Sequence, residues 1–386
     1  MRLLFISFEL GVTSSGIASD RVARQLAEHG HHITGLVGAQ TPQERPFEVW
    51  TASPFPLKPA RFYSLLGNLI GRDLNYVFWE RRAIKLGLSL IDKHCPDVIY
   101  ARGSPACAFS VGLHLSERTG IPLAIHFADP IPATPDWQAM PAVREKMRRT
   151  VLPAQRHASL VSFGNDRMRV YQEKTTEECI GSRCMILPNP IPVRKPCTPL
   201  VKKNAFVFTF IGSFFGSRRP DSLLQAFSVV AQRHADVRLH IYGVCSKEMK
   251  GLIYRDACLA RCVDLFGWTS DVASALSESS CLIDVDPDVD DCVYTSNKLM
   301  DYLSVDRPIL AITPRNSASR EVLEGLKESC VLSDHAIENI VGAMETAIAS
   351  DWGISAFEER RELRSAMSLE SVCRHLENRL EGLIRR

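Results

Sequence analysis

Long apolar runs are missing from this 386-residue sequence, because no window approaches the roughly 20 consecutive apolar residues of a membrane-spanning helix. The first apolar stretch, MRLLFISFELG, lacks a small-residue cleavage site, so we expect a buried first strand there and not a signal peptide. An excess of charge is missing too: the formal net charge of +2 gives no global electrostatic reason to bind nucleic acid. These absences predict a cytoplasmic protein with no nucleic-acid partner, and they leave peripheral contact with the inner face of a membrane open.

Paired cysteines are also absent. The twelve cysteines are scattered without a CxxC pair, and the nearest neighbours, Cys258 and Cys262, have the spacing of successive turns of one helix. No second pair of Cys or His lies nearby, so we predict no metal site, and free thiols fit a reducing cytoplasm. The loop after Ile211 fits neither the dinucleotide fingerprint GxGxxG nor the P-loop pattern GxxxxGK[ST], which argues against those two nucleotide-binding motifs.

The sequence does contain a regular alternation of short apolar runs with helical patterns. The runs of the first half are residues 2–8, 32–38, 97–101, 122–127, 160–164 and 184–188. Those of the second half are residues 205–212, 237–243, 263–267 and 281–285, followed by a helix and a strand in 295–312. Strands that alternate with helices are typical of a parallel sheet covered on both faces. We therefore predict an α/β fold with two doubly wound, Rossmann-like domains that face a central cleft.

The two series are separated near Pro188. The segment PNPIPVRKPCTPLVKKN (188–204) holds five prolines and four basic residues and has the period of neither a helix nor a strand. Such a composition is typical of a linker between domains. The predicted boundaries are a first domain at 1–190, a linker at 191–204, a second domain at 205–367 and a C-terminal helix in 368–386.

One strand-to-helix loop, in IGSFFGSRRPDSLLQAF (211–227), combines glycines with arginines. Gly212 and Gly216 permit close approach to the backbone, and the helix that follows offers free N–H groups to a phosphate. Arg218 and Arg219 add fixed positive charge with bidentate geometry. The pattern indicates either a phosphate-binding loop or a tight turn with two solvated arginines.

The first domain has a counterpart in LGVTSSGIASDRVARQL (10–26). Thr13, Ser14, Ser15 and Gly16 form a polar loop between the first strand and a helix. The loop fits an anion or acceptor site, and it equally fits a simple helix cap.

The stretch TSNKLMDYLSVDRPILAI (295–312) begins with small polar residues and a lysine. Ser296 or Asn297 can cap a helix that begins near Lys298. A lysine beside the positive end of a helix is unfavourable, and this conflict disappears if a diphosphate binds there. Asp301 lies one turn further on the same face, where a local Lys–Asp pair is the simpler interpretation.

Taken in order, four segments resemble a GT-B glycosyltransferase of family 4, the retaining group that uses nucleotide sugars. They are FTFIGSFFGSRRPDSLLQAF, LHIYG, LFGWTSDVASALSESSCLIDV and SNKLMDYLSVDRPILAI. In the first half, LAEHGHHITGLVG and PLAIHFADPIP are similar to family segments on the acceptor side. The ordered series, rather than any single motif, is specific. It implies that 1–190 is the acceptor-side domain, that 205–367 binds the nucleotide sugar, and that the C-terminal helix crosses back to the first domain.

The resemblance also assigns a donor site. Gly212 and Arg218 match the glycine and the basic residue that hold the diphosphate, and Asp301 matches an acid that binds the ribose hydroxyls. The helix start faces the phosphates, and a loop after the LFG run lies against the base. The further residues that the resemblance places at this site are Ser213, Arg219, Trp268, Thr269, Ser296, Asn297 and Lys298.

On the acceptor side the resemblance points to Gly16 and Asp129, and at three positions the sequence departs from the family pattern. Val293 stands where the first acid of the E-x7-E element is expected, Ser213 replaces a basic residue, and Ala128 replaces an arginine. The candidates to compensate are Asp290, Asp291 and Arg219.

For the reaction, the resemblance implies front-face transfer with retention. Arg218, Lys298 and the helix-start amides would stabilise the charge that develops on the leaving diphosphate. Asp129 and His126 are candidates to orient the acceptor, although a histidine that ends a strand also fits a structural role. No metal and no cofactor is implied, since the nucleoside-diphosphate sugar is itself the donor substrate.

The expected acceptor is a glycan or a lipid-linked glycan in polysaccharide or lipopolysaccharide assembly. The segment 56–86 mixes aromatic and leucine side chains with basic ones, which fits either a membrane surface or a core helix with snorkelling arginines. Two alternatives remain open. The loss of the acid at Val293 fits a catalytically silent nucleotide-sugar-binding partner, and the fold also fits a nucleotide-sugar epimerase, which would more naturally carry catalytic acids in both domains.

Overall fold

The computed structural model describes residues 1–53, 62–63, 65–67, 74, 76–103, 105–193, 205–214, 216–269 and 271–385. The chain divides into two compact units: Met1–Pro190 together with Leu369–Arg386, and Ile191–Ser368. Linker residues 194–204 and most of the segment 56–75 lie outside the described residues, so the interpretations of that segment stay predictions. No helix in the described part of the chain is long and apolar enough to cross a membrane.

The first unit is a seven-stranded parallel sheet in the order β3-β2-β1-β4-β5-β6-β7. Its strands are β1 (Arg2–Leu10), β2 (His32–Gln40), β3 (Glu48–Thr51), β4 (Val98–Gly103), β5 (Leu123–Phe127), β6 (Leu160–Phe163) and β7 (Cys184–Ile186). Its helices are α1 (Ser14–Glu28), α2 (Val77–His94), α3 (Cys107–Thr119), α4 (Pro141–His157) and α5 (Asp166–Thr176), with the C-terminal helix given below. Because side chains of a strand alternate between faces, Leu4 and Ile6 of β1 pack with α2, α3 and α4, whereas Leu3 and Phe5 pack with α1.

The second unit is a six-stranded parallel sheet in the order β10-β9-β8-β11-β12-β13. Its strands are β8 (Phe206–Ile211), β9 (Val237–Tyr242), β10 (Val263–Gly267), β11 (Cys281–Val285), β12 (Ile309–Ile312) and β13 (Cys330–Ser333). Its helices are α6 (Asp221–Arg233), α7 (Lys247–Arg255), α8 (Ala257–Cys262), α9 (Val272–Glu278), α10 (Asn297–Leu303), α11 (Ala318–Leu323), α12 (Ile337–Ala349) and α13 (Arg360–Ala366). On β11, Ile283 and Val285 pack with α6 and α12, while Leu282 packs with α10 on the other face. Two doubly wound parallel sheets confirm the predicted α/β fold class.

The structure differs from the sequence prediction at three places. Helix α1 begins at Ser14, so that Ser14, Ser15 and Gly16 form its first turn and not a loop before it. Strands β3 and β13 were not expected, because each has only four residues and carries no clear alternation. Both lie at an edge of their sheet, where pairing with one neighbour stabilises a strand that its own sequence barely specifies.

The C-terminal helix α14 (Leu369–Ile384) packs on the first unit, where Val372 and Leu376 join the core that contains residues of α1. Hydrogen bonds of His29 to Glu370 and Glu377, which we call the charged clasp, reinforce this contact. His29, directly after α1, bonds to Glu377 through Nδ1 and lies 2.6 Å from Glu370 Oε2 through Nε2. Burial opposes the charged imidazole, but the hydrogen bonds to Glu377 and Glu370 outweigh it and raise the pKa of His29.

Candidate functional site

A glycine stands at the carboxyl end of each of the neighbouring strands β8, β9 and β10, and we call these three residues, Gly212, Gly243 and Gly267, the glycine edge. The N–H of Gly212 donates to Tyr242 O over 2.7 Å, and the N–H of Gly243 donates to Gly267 O over 2.6 Å. Gly212 has a φ of 144° and Gly243 a φ of 137°, which favour glycine. A Cβ on Gly243 would lie only 1.9 Å from Gly212 O. The strand ends can therefore meet this closely only because they carry no side chains.

Helix α10 starts beside this glycine edge. Ser296 is its N-cap, since its Oγ accepts the N–H of Leu299 over 3.3 Å, and Asn297 is the first helical residue. Lys298, in the first turn, keeps only 12% of its side chain exposed. Its Nζ lies 3.2 Å from Asp284 Oδ1 and 4.5 Å from the ring centre of Phe210. The lysine is tolerated at this helix end because a buried carboxylate faces it.

Two buried carboxylates at the end of β11 were missed by the sequence reasoning. Asp284 is 0% exposed and Asp286 is 1% exposed. Asp284 Oδ1 accepts from Ser296 Oγ over 3.3 Å in addition to the ion pair, whereas its Oδ2 is buried without a hydrogen-bond partner among the described residues. The signal was present in CLIDVDP, where two acids follow at alternate positions of an apolar strand, on the face that Leu282 turns toward α10.

Asp286 has hydroxyl partners instead of a cation. Ser317 Oγ donates to its Oδ2 over 2.6 Å, and Ser319 Oγ donates to its Oδ1 over 3.3 Å. Burial and then the nearby Asp284 raise the pKa of Asp286 to about 6, although Ser317, Arg218 and Lys298 act in the opposite direction. Its charge at neutral pH therefore depends on those neighbours.

Arg218 joins this cluster from the loop after β8. Its Nε is buried and has no hydrogen-bond partner among the described residues. Burial and then the charge of Arg218 lower the pKa of Lys298 to about 8, which places the two cations close together. Buried guanidinium N–H groups are almost always satisfied. Two neighbouring cations, one of them with a buried and unsatisfied N–H, are therefore suited to an anion, and a diphosphate offers several acceptor oxygens.

Tyr302 of α10 connects the helix to the end of β8 next to this cluster. The Tyr302 hydroxyl accepts the N–H of Ile211 over 2.8 Å at the end of β8, directly before Gly212. Burial and then Asp284 raise the pKa of Tyr302 well above its usual range. Asp301 precedes it in the same helix and is half-buried, so the structure places the predicted ribose ligand one turn beyond Lys298.

Two other predicted donor residues have local partners. Ser213 Oγ accepts the N–H of Val244 over 3.3 Å. Arg219 is exposed and forms ion pairs with Asp221 at 3.0 Å and Glu248 at 3.1 Å. Of the two arginines, Arg219 fits the interpretation of a solvated surface residue, whereas the half-buried Arg218 does not.

The loop after β10 is exposed and aromatic. Trp268 is 77% exposed, and Phe266 stacks on Tyr242 with ring centres 4.5 Å apart. Thr269 Oγ1 accepts the N–H of Asp271 over 3.0 Å and so shapes the turn before α9. A flat aromatic surface is chemically suited to a nucleotide base.

In the first unit, the polar residues before α1 act as a helix cap. Thr13 is the N-cap, and its Oγ1 accepts the N–H of Gly16 over 3.2 Å. A Cβ on Gly16 would lie 3.1 Å from Glu9 O, so close packing alone explains a glycine there. These contacts favour the interpretation of this segment as a helix cap. The amides of Ser14 and Ser15 belong to the first turn of α1.

The predicted acceptor-side residues after β5 lie in different surroundings. Asp129 is exposed just beyond the end of the strand. His126 is 1% exposed within β5, and its Nδ1 lies 3.1 Å from Ser162 Oγ. Burial and then Arg102 hold the pKa of His126 well below its usual range, and this burial favours the structural role over the orientation of an acceptor, which stays a prediction.

In the described ranges, no group of three or more His, Cys, Asp or Glu side chains is placed to hold a metal ion. The site in the second unit is instead a charge-balanced cluster beside glycine strand ends. It is formed by Lys298, Asp284 and Asp286, which lie within fifteen residues of one another, and by Arg218, which lies 66 residues before Asp284.

Residues 15–171 match a family model described as a glycosyl transferase 4-like domain. No protein of curated function matches the chain in sequence. Among solved structures, HepE of Anabaena in complex with UDP and glucose is 15% identical over 98% of this chain and 99% of its own, with a TM-score of 0.73. Sucrose-phosphate synthase from Thermosynechococcus elongatus is 11% identical over 100% of this chain and 99% of its own, with a TM-score of 0.72. WaaG, a glycosyltransferase involved in lipopolysaccharide biosynthesis, is 12% identical over 98% of this chain and 100% of its own, with a TM-score of 0.66. These similarities confirm the fold that the sequence predicted.

Proposed function

We propose that this chain, a glycosyltransferase with the GT-B fold, transfers a sugar with retention from a nucleoside-diphosphate sugar to a glycan or lipid-linked acceptor. We place the reaction in the assembly of a polysaccharide or lipopolysaccharide. One observation carries the donor assignment: the buried N–H of Arg218 has no acceptor among the described residues and lies near Lys298. Similarity to HepE, solved with UDP-glucose, and to WaaG supports the donor and the setting.

The donor diphosphate would bind where Arg218 and Lys298 lie together. Gly212 brings the backbone next to this pair, since a Cβ on it would lie 3.6 Å from Lys298 Cδ. As the glycosidic bond breaks, negative charge grows on the leaving diphosphate, and the two cations already lie together in a poorly solvated place. Preorganised charge of this kind stabilises the transition state more than the ground state.

The nucleoside would lie across α10 and the loop after β10. Asp301 accepts hydrogen bonds from the ribose hydroxyls, since a carboxylate offers two acceptor oxygens to a diol. Trp268, with 77% of its surface exposed, supplies an aromatic face for the base. Uracil is the base that the HepE complexes favour.

The acceptor would bind to the first unit, with Asp129 as the exposed carboxylate next to it. A dedicated base is not required, because in front-face transfer the leaving diphosphate itself receives the proton of the attacking hydroxyl. Peripheral contact with the membrane through 56–86 and work at its inner face remain part of this proposal.

A second candidate, a silent nucleotide-sugar-binding partner, is favoured by one observation. Val293 is 1% exposed, so the position of the expected first acid is filled by a buried apolar side chain. Asp290 and Asp291 are exposed in the preceding loop. Both candidates bind the donor, and only the enzyme consumes it.

Thermal shift and calorimetric titration with UDP-, GDP-, ADP- and dTDP-sugars test the donor site. Arg218→Ala and Asp301→Asn should each weaken the binding of the preferred nucleotide sugar at least about tenfold, the cost of one hydrogen bond to a charged group. Arg233→Ala is the matched control, because Arg233 lies on α6 and its ion pair with Glu345 is exposed. No response to any nucleotide sugar would refute the donor site. Binding without hydrolysis or transfer to glycan acceptors would support the silent partner.

A further inference from the structure

The charged cluster of the second unit is balanced before any ligand arrives. Arg218 and Lys298 supply two cations, and Asp284 and Asp286 supply two carboxylates. Both acids are buried to at least 99%, with exposures of 0% and 1%, so water cannot compensate a change in their surroundings. A diphosphate that binds to the two cations adds negative charge next to two buried carboxylates. Like charges this close in a buried site do not all stay ionised.

The two acids differ in their partners. Asp284 Oδ1 forms an ion pair with Lys298 Nζ over 3.2 Å. Asp286 faces the hydroxyls of Ser317 and Ser319, and a hydroxyl can donate to a carboxylate or accept from a carboxylic acid. Both oxygens of Asp286 therefore have a hydroxyl partner that suits either protonation state, whereas Asp284 has a cation beside one oxygen.

We propose that binding of the donor diphosphate takes up one proton from solvent, and that Asp286 receives it. An O–H bond forms on the Asp286 carboxylate, the proton comes from the buffer acid, and no other bond changes. The inference rests on the proposed function, because it requires the diphosphate to bind at Arg218 and Lys298. Asp286 is thus a positioning residue that sets the charge of the donor site and does not touch the reacting atoms.

The groups that face Asp286 support this assignment. Asp284 on β11 raises its pKa, while Arg218 from the loop after β8 and Lys298 from α10 lower it, together with the hydroxyl of Ser317. The value of about 6 in the free protein leaves Asp286 mostly ionised at neutral pH. A bound anion neutralises the two cations that keep Asp286 ionised, so the pKa of Asp286 rises further.

The inference predicts how affinity depends on pH. Where binding takes up a proton, the affinity falls as the pH rises, by at most about tenfold per pH unit for one proton. Below about pH 6 Asp286 is already protonated in the free protein, and uptake disappears. Above about pH 8 Lys298 also loses its proton in the free protein, and binding weakens more steeply.

Calorimetric titration of the full chain with UDP-glucose tests the proposal, with GDP-, ADP- or dTDP-glucose used instead if one of them binds better. A nucleotide sugar is the right probe because its diphosphate is esterified at both ends and has no group that titrates near neutral pH. At pH 7.5, the apparent binding enthalpy is measured in buffers of different ionisation enthalpy. The slope gives the protons taken up, and we expect a positive slope that approaches one proton and vanishes near pH 5.

Asp286→Asn mimics the protonated acid, and its amide can still bond to both serine hydroxyls. We expect the slope of this variant to fall to the fraction of a proton that Lys298 takes up, and we expect it to bind at least about tenfold more tightly than the wild type at pH 8. Asp351→Asn, the same change at an exposed site of the second unit, should keep the slope. If Asp286→Asn does not fold, the buffer series and the pH profile of the wild type decide.

Binding with no buffer dependence, or a slope as large in Asp286→Asn as in the wild type, would overturn this inference alone. The absence of binding by every nucleotide sugar would overturn the proposed function and this inference with it.

Discussion

Replacing Gly243 by alanine tests whether the glycine edge is a steric requirement of the backbone. The new Cβ would lie 1.9 Å from Gly212 O and 2.7 Å from Gly212 C, which are main-chain atoms and cannot rotate away. The φ of 137° at Gly243 is also a conformation that alanine rarely adopts. Backbone strain costs about 1 to 3 kcal/mol and overpacking a further 1 to 3 kcal/mol or so, which gives a loss of about 2 to 6 kcal/mol in the free energy of unfolding.

Differential scanning calorimetry of the full chain measures this loss. The transition of the second unit is the one that a bound nucleotide sugar raises, and Gly243→Ala should lower its midpoint by at least roughly 4 °C. Gly251→Ala is the matched control: a Cβ there has nothing within 4 Å, and Gly251 lies within α7. The control should gain about 0.5 to 1 kcal/mol, because alanine favours a helix. A Gly243→Ala midpoint equal to that of the wild type would refute the steric argument.

Three further predictions concern charge and hydrogen bonding. Lys298→Met should lower the free energy of unfolding, measured by urea denaturation, by about 3 kcal/mol, because it leaves Asp284 buried without its cation. The double variant Lys298→Met, Asp284→Asn should regain most of this loss, because it removes the unpaired carboxylate as well. Tyr302→Phe should cost about 1 to 3 kcal/mol in the same assay, since a main-chain N–H at the end of β8 loses its acceptor; an unchanged midpoint would contradict that contact. The pKa of His29 is raised by its two glutamate partners, so its contribution to stability is complete below the unfolded value of about 6.5 and is lost as the pH rises through the folded value. His29→Gln should therefore destabilise the chain more at pH 6 than at pH 9, and an equal effect at both would refute the charged clasp.

Local sequence patterns were sufficient for most of the fold. The apolar runs at 263–267 and 281–285 coincide with β10 and β11, and β11 is buried at every position, as expected for a strand covered on both faces. The cap at Ser296 was also within reach, since a capping side chain needs only the amides of the next turn. The short edge strands β3 and β13 were not, because their neighbours in the sheet stabilise them more than their own residues do.

At the candidate site the sequence specified the residue types but not their partners. It pointed to Gly212, Arg218 and Lys298 from the loops and helix starts in which they lie. It did not show that Lys298 pairs with Asp284, that Asp286 is buried against two serines, or that His126 lies in the core. Those relations join residues that the order of strands in the sheet brings together.

The sequence by itself determined which segments become strands and helices, because backbone geometry, capping and alternation act within a few residues. Only the tertiary structure decided how the charges of the second unit are balanced, since Arg218 from the loop after β8 and Lys298 from α10 meet the carboxylates at the end of β11. Burial then sets their protonation. Desolvation depends on everything packed around a group, and no local pattern of residues contains that information.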